Sequence, residues 1–183
     1  MVKPADVAQL AEHILGLEIC FIKTPKGGMY IVELTTKQKG NITEMECILA
    51  FMKAGYKVSI PYGEDCKYDL VVDIANRLYR IQCKTSHALD NPEDGFKFKT
   101  KSVVITTHGA KESRYTKQEI DYFATMYEGQ CYLVPVDECG QEKILRYRYP
   151  ANGQKKGITL ADNYKMETTI KRKLFLLGET VTE

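Results

Sequence analysis

Apolar and polar positions alternate most clearly between residues 68 and 85. Two apolar runs rich in β-branched residues, at positions 70–75 and 78–83, flank the polar pair Asn76 and Arg77. Runs of this length on either side of two turn residues are typical of a β-hairpin. We therefore predict two antiparallel strands here, with polar side chains at the open end of the hairpin.

The predicted register determines which side chains meet at that open end. A two-residue turn at positions 76 and 77 places Asp69 directly across from Lys84. Because strand side chains alternate, Gln82 lies on the same face as Lys84, whereas Cys83 points to the other face. One face is therefore expected to carry a carboxylate, an amide and an ammonium group.

Apolar residues recur at helical spacing upstream of the hairpin. Ile42, Met45, Leu49 and Met52 form one stripe, and Gly55 follows it as a stop signal. Because such a stripe normally faces the core, we predict a helix that buries these four side chains and ends near Gly55.

Two glutamates in this helix are candidates for a functional site. Glu44 shares its side of the helix with Ile48 and Phe51, at the edge of the apolar stripe, and is the better placed of the two. Glu46 is better explained as a solvated carboxylate, or as part of a capping box with Thr43, than as a catalytic residue. For Glu44, attraction to the helix dipole is a plainer alternative to a catalytic role.

The rest of the chain carries weaker patterns. We expect strands at residues 57–60 and 102–107, hairpins pairing 18–22 with 29–34 and 121–127 with 131–136, a turn-rich loop at 87–95 and a helix at 7–14. These patterns predict an N-terminal extension, residues 1–37, followed by one domain, residues 38–183.

The composition fits a compact intracellular domain. The 183 residues are 44% hydrophobic, which is enough to bury one sizeable core. The six cysteines show no close pairing such as C-x-x-C, and neither a signal peptide nor a long apolar span appears. We therefore expect reduced cysteines, a cytoplasmic location and no membrane contact. None of the three histidines has the spacing that zinc modules use.

The polar face of the hairpin suits an oxygen-loving divalent cation that holds a phosphate. Asp69 and Gln82 would supply oxygen ligands, while Lys84 would steady charge as a phosphodiester is attacked. The plainer alternative is a cross-strand ion pair between Asp69 and Lys84 on a solvated face. The hairpin alone leaves both interpretations open.

Several short segments follow one another in a distinctive order and spacing. They are Lys39-Gly40, Glu44, Ile60-Pro61-Tyr62-Gly63, Tyr68-Asp69, Gln82-Cys83-Lys84-Thr85, Arg114-Tyr115, Ile120-Asp121-Tyr122-Phe123 and Tyr132-Leu133-Val134-Pro135-Val136. This arrangement resembles the PD-(D/E)XK nuclease superfamily and, more narrowly, its branch of group I intron homing endonucleases. The resemblance covers residues 39–136.

The resemblance implies a restriction-endonuclease-like α/β fold, in which helices flank a central mixed β-sheet. It also implies a homing endonuclease that cuts double-stranded DNA with Mg²⁺ or Mn²⁺. The implied catalytic residues are Glu44, Asp69, Gln82 and Lys84. The first three, with the backbone carbonyl of Cys83, would hold the metal, and Lys84 would steady the scissile phosphate or the attacking hydroxide. Because one site cuts one strand, a double-strand break suggests a homo-oligomer, either a dimer or a tetramer.

Two positions depart from the superfamily pattern. Tyr68 replaces proline, which mainly shapes the entry to the strand. Gln82 replaces the second acidic ligand, and the lost negative charge could weaken metal affinity. Active members of the intron-endonuclease branch tolerate glutamine there. Two alternatives stay open: a Holliday junction resolvase-like nuclease that uses the same site on branched DNA, and a non-catalytic DNA-binding module, which Gln82 favours.

The net charge of +2 is unevenly distributed. Residues 97–117 contain a single acid, and residues 143–173 form a second basic stretch. Alternating positions at 96–99 and 146–149 would place charges on one strand face, although such runs are often only solvated surfaces. We predict DNA-backbone contacts from Lys97, Lys99, Lys101, Arg114, Lys117, Arg146 and Arg148.

Overall fold

The structure is a computed structural model that describes residues 19–23, 29–63, 65–107 and 109–178. The chain divides into two compact units, residues 1–41 and 42–183. In the first unit, strands β1 (Ile19–Lys23) and β2 (Met29–Glu33) pair antiparallel, which confirms the predicted N-terminal hairpin. The helix predicted at residues 7–14 lies outside the described residues, and the domain boundary predicted after residue 37 stays a prediction.

Helix α1 comprises Thr36–Lys53. Thr35 caps it, because its hydroxyl accepts the Gln38 N–H at 3.3 Å while the Gln38 side-chain oxygen accepts the Thr35 N–H at 2.9 Å. The capping box considered for Glu46 is therefore wrong. At the other end, Gly55 has φ +85°, as a helix stop requires.

The face of α1 that packs into the core is not the predicted one. The predicted stripe is exposed, at 44%, 63%, 50% and 60% for Ile42, Met45, Leu49 and Met52. The buried side chains of the helix are Thr43, Cys47, Ile48 and Phe51. The helix has two apolar faces, and spacing alone does not determine which one packs against the sheet.

The second unit contains ten strands and a second helix among its described residues. They are β3 (Lys57–Ser59), β4 (Leu70–Ile74), β5 (Arg77–Cys83), β6 (Ser86–Ala88), β7 (Gly95–Lys99), β8 (Lys101–Thr106), β9 (Gly109–Arg114), β10 (Tyr122–Tyr127), β11 (Gln130–Pro135), β12 (Glu142–Arg146) and α2 (Met166–Leu176). The predicted strand at 102–107 and the hairpin at 121–136 are confirmed within one or two residues. The predicted loop at 87–95 is wrong in part, because it includes most of β6.

A five-stranded mixed sheet, in the order β11-β10-β5-β4-β3, forms the centre of this unit. Only the β5–β10 pair within it is parallel. Buried side chains of both helices, including Phe51 and Ile170, share one core cluster with Leu70 and Ile81 of the sheet. These features confirm the predicted α/β fold with a central mixed sheet.

A second sheet, in the order β12-β7-β6, contributes Phe96 and Phe98 to a separate core cluster with Phe123. Its pairing depends on Gly95, since a Cβ there would lie 2.1 Å from the Leu145 carbonyl oxygen. Strands β8 and β9 form a two-stranded ribbon of their own. No helix in the described part of the chain is long and apolar enough to cross a membrane.

The β4–β5 hairpin exists as predicted, but its register is shifted by two residues. Ile74 pairs with Arg77, so the turn consists of Ala75 and Asn76, with φ +52° and +58°. Two positive φ values are typical of the type I′ turn that joins short hairpins. Asp69 therefore does not lie across from Lys84, and the predicted pairing of these two residues is wrong.

The positive φ of Ala75 generates a stability prediction. Alanine in the left-handed region costs about 1 kcal/mol that glycine avoids, so we expect Ala75→Gly to raise the free energy of unfolding by about 0.5–1 kcal/mol. Ala88→Gly is the control, because exposed Ala88 lies in β6 without a positive φ and should lose stability. Urea unfolding followed by circular dichroism measures both, and a destabilised Ala75→Gly protein would contradict the prediction.

Candidate active site

Asp69 lies immediately before β4, where its carboxylate is half-buried. Its Oδ2 accepts the backbone N–H of Cys83 at 2.7 Å and the side-chain Nε2 of Gln82 at 2.5 Å. Burial raises the pKa of Asp69, while the Cys83 N–H, the Lys84 charge and the Gln82 amide act in the opposite direction. The end of β5 thus supplies both hydrogen bonds that hold this carboxylate.

Glu44 is the second carboxylate at this position, on α1. It is half-buried, whereas Glu46 is exposed, as the sequence predicts. Burial and then the charge of Asp69 raise the pKa of Glu44, so the two carboxylates are close enough to repel each other. Thr43, one residue earlier, shares a 3.3 Å hydrogen bond with the hydroxyl of Thr85. This contact ties the helix to the segment that follows β5.

Lys84 follows the last residue of β5 and extends the parallel pairing, because its N–H donates to the Ala124 carbonyl at 2.9 Å. Its Nζ donates to the hydroxyl of Tyr115 at 3.2 Å. Burial lowers the pKa of Lys84, although the Asp69 charge opposes this effect. Among the described residues, no ion pair within 4 Å joins Lys84 to Asp69, so the simple cross-strand ion pair is not formed.

Gln82 is buried between the other site residues. Its Nε2 donates to Asp69 Oδ2 and also to the Cys83 carbonyl oxygen at 3.3 Å. Only Oε1 of a glutamine side chain can ligate a cation, and the amide turns its nitrogen, not this oxygen, towards the two groups. A half-turn of the Gln82 amide would place Oε1, in place of the nitrogen, beside Asp69 and the Cys83 carbonyl.

The donor set fits a hard divalent cation. Glu44 and Asp69 supply carboxylates that repel each other, and the Cys83 carbonyl and the Gln82 amide supply neutral oxygens, which are the ligands that Mg²⁺ and Mn²⁺ prefer. No group of three or more His, Cys, Asp or Glu side chains with metal-binding geometry occurs in the described part of the chain. A metal site here therefore depends on the amide and the carbonyl as well as on the two acids.

The seven predicted DNA-binding residues lie on the β8–β9 ribbon, in the segment that follows it, and on strands β7 and β12 or just after β12. Three of them are paired with carboxylates: Lys101 with Glu112, Lys117 with Asp137, and Arg148 with Asp94 and Glu93. Arg114 is exposed at the end of β9, opposite Lys101 in the ribbon.

The remaining three residues, Lys97, Lys99 and Arg146, lie on the solvent side of the β12-β7-β6 sheet. Phe96 and Phe98 point inward from β7, so the alternation predicted for residues 96–99 is confirmed. The alternation predicted for residues 146–149 is wrong, because β12 ends at Arg146 and the backbone bends at the next two residues. We call the surface formed by His87, Lys97, Lys99 and Arg146 the basic face.

Tyr115 is the site residue that sequence reasoning did not single out. Burial and the charges of Asp69 and Glu119 raise its pKa to about 12, so its hydroxyl is neutral at neutral pH. It lies 31 residues from Lys84 in the sequence. The only signal was the Arg114-Tyr115 segment of the family resemblance, which assigned Tyr115 no role.

Two comparisons with known proteins found matches. A family model described as PD-(D/E)XK endonuclease matches residues 34–167. No curated protein matches the chain. Among solved structures, the bacterial homing endonuclease I-Ssp6803I is similar, with a TM-score of 0.63 and 25% sequence identity, over 80% of this chain and 100% of that chain.

The glutamine at the site generates a prediction for Gln82→Glu. Without divalent cations, the new carboxylate repels Asp69 and Glu44 and removes the amide donor, so we expect a loss of about 1–3 kcal/mol in unfolding free energy. With millimolar Mg²⁺, the added charge should make the cation-dependent rise in Tm larger than in the wild type. Thermal unfolding in EDTA and in Mg²⁺ measures both effects.

The control for this variant is Gln141→Glu, since Gln141 is exposed and distant in sequence from the site residues. It should show the wild-type response to Mg²⁺. An equal cation-dependent rise in both variants would mean that position 82 does not contribute to a cation site.

Proposed function

This chain belongs to the PD-(D/E)XK endonuclease family, and we propose that it hydrolyses phosphodiester bonds in double-stranded DNA as a divalent-metal-dependent homing endonuclease. The observation that carries the proposal is the convergence of Asp69, Glu44, Gln82 and Lys84 at the end of β5. The similarity to a bacterial homing endonuclease supports the homing role.

Each side chain has a separate task in this proposal. The Cys83 N–H and the Gln82 amide fix Asp69 through Oδ2, which leaves Oδ1 to face a ligand. Glu44 adds a second negative charge from α1. Lys84 places a positive charge where the phosphate gains negative charge during attack. A bound Mg²⁺ or Mn²⁺ would supply Lewis acidity and lower the pKa of a bound water.

A specific observation favours a second candidate, a non-catalytic DNA-binding module. The Gln82 amide directs its nitrogen at Asp69 and at the Cys83 carbonyl, and so occupies oxygens that a cation would need. If this arrangement persists in solution with metal present, the fold would bind DNA without cutting it.

We propose that the active form is a homo-oligomer, either a dimer or a tetramer. The described part of the chain contains one such cluster of acids, amide and lysine, and one cluster cuts one strand. The two strands of a duplex run antiparallel, so two copies related by a twofold axis present equivalent sites to them.

The nuclease proposal is tested by cleavage of supercoiled plasmid and of synthetic four-way junctions, with and without Mg²⁺. We expect Mg²⁺-dependent cutting by the wild type and at least a hundredfold loss in Asp69→Asn, which keeps the shape of the side chain but removes its charge. Asp73→Asn, a half-buried aspartate in β4, is the matched control and should keep its activity.

The outcomes of this experiment separate the alternatives. A strong preference for junctions would favour a resolvase-like nuclease over a homing enzyme. Retardation of DNA on a gel, with no cutting in Mg²⁺ or Mn²⁺, would favour the binding module.

The basic face is proposed to contact the DNA backbone. His87, one of its members, is three residues after Lys84, which places the two Cα atoms within about 11 Å. Lys97 and Lys99 project from the neighbouring strand β7, and neither has an ion-pair partner within 4 Å among the described residues. A duplex bound at the site would therefore lie close to these lysines.

This placement predicts the effect of the double variant Lys97→Ala, Lys99→Ala. We expect weaker DNA binding and a plot of log affinity against log salt that is less steep by about 2, because each phosphate contact contributes about 1 to the slope. The control is Lys53→Ala, Lys57→Ala, two exposed lysines outside the basic stretches. Fluorescence anisotropy titrations of DNA at salt concentrations from about 50 to about 200 mM measure both slopes. Equal slopes in the two double variants would mean that the basic face does not contact the DNA backbone.

A further inference from the structure

We propose that Tyr115 is a positioning residue that holds the ammonium group of Lys84 in place through its hydroxyl. The inference concerns the same site and rests on the nuclease function proposed above. The family match and the similar structure assign no role to Tyr115.

The contact between the two side chains is a hydrogen bond. The Nζ of Lys84 lies 3.2 Å from the Tyr115 hydroxyl oxygen and over the ring at 5.0 Å from its centre, so the ammonium group is closer to the oxygen than to the ring centre. In the described part of the chain, this hydroxyl is the one hydrogen-bond acceptor of the Lys84 side chain. A lysine side chain loses about 2 kcal/mol of rotamer entropy when it is fixed, so its position depends on such a contact.

The ring of Tyr115 is supported by the side chain of Phe123. It packs edge-to-face on Phe123, with 5.4 Å between ring centres and an interplanar angle of 90°. Phe123 is 1% exposed and pairs with Gln82 in the parallel β5–β10 register. The ring of Tyr115 is therefore supported by β10, the strand that pairs with β5.

The backbone that follows Tyr115 is tied to β5. The Arg80 guanidinium donates to the Lys117 carbonyl at 2.9 Å, and the Arg80 N–H donates to Asp121 Oδ2 at 2.8 Å. Arg80 lies in β5, four residues before Lys84. Both members of the Lys84–Tyr115 hydrogen bond are thus held relative to one strand, which is the arrangement expected of a fixed catalytic group.

Tyr115→Phe separates this role from simple packing, because it keeps the ring on Phe123 and removes only the hydroxyl. We expect kcat for DNA cleavage to fall about tenfold while KM and DNA affinity stay unchanged, since small misplacements of a catalytic group lower the rate without weakening binding. Tyr56→Phe is the matched control. Tyr56 packs edge-to-face on buried Phe51, with 6.4 Å between ring centres and an interplanar angle of 72°. No lysine in the described part of the chain lies over its ring.

A second measurement does not depend on cleavage. Acetylation of the wild-type protein with an N-hydroxysuccinimide ester, read by mass spectrometry, should label Lys84 more slowly than exposed Lys99. In Tyr115→Phe, the ratio of Lys84 to Lys99 labelling should rise about threefold or more, and in Tyr56→Phe it should not change. An increased ratio together with reduced kcat supports the inference.

Two results would overturn it: an unchanged labelling ratio in Tyr115→Phe, or an unchanged kcat in that variant when the wild type cuts DNA. A wild-type protein that cuts no DNA would instead refute the proposed function. The labelling ratio would still report in that case whether Tyr115 holds Lys84, so the two failures are distinguishable.

Discussion

The negative charge of Asp69 is the constraint on which the rest of the site depends. Partial burial withdraws water from this carboxylate and raises its pKa, and an uncompensated charge in such a position costs several kcal/mol. The Cys83 N–H and the Gln82 amide replace the lost water, and Lys84 supplies an opposite charge nearby. The two donors are the last residues of β5, and Lys84 follows them directly, so the charge of Asp69 is compensated where β5 ends.

The glutamine at position 82 affects both the stability of the site without a cation and the affinity of the site for one. Glu44 and Asp69 already repel each other, which is why the pKa of Glu44 is raised beyond the effect of burial. A third acid would increase this repulsion and also increase the attraction for a cation. Gln82 reduces both the repulsion and the attraction. We therefore expect the site to be more stable without a metal, and to bind a metal more weakly, than it would with a third acid.

Helix α1, the β4–β5 and β10–β11 hairpins and the cluster of site residues could be predicted from the sequence. Strands β6 and β9, helix α2 and the pairing between elements could not. Moving the turn from Asn76-Arg77 to Ala75-Asn76 slides the register by two residues, and a two-residue slide leaves the alternation of faces unchanged. The alternation of side chains therefore predicted the correct face for Gln82, whereas the predicted register paired Asp69 with the wrong residue, Lys84. The contact between Lys84 and Tyr115 joins residues 31 positions apart, and no local pattern carries that information.

The type I′ turn at the closed end of the β4–β5 hairpin also has a practical consequence for engineering. Both turn residues are exposed, and Gln82 lies six residue steps, or roughly 20 Å, along the strand from Asn76. Insertions are tolerated best at exposed tips of this kind. A fluorescent reporter or an added DNA-reading module could be fused there, and the two strands would keep the fusion at a set distance from the candidate site.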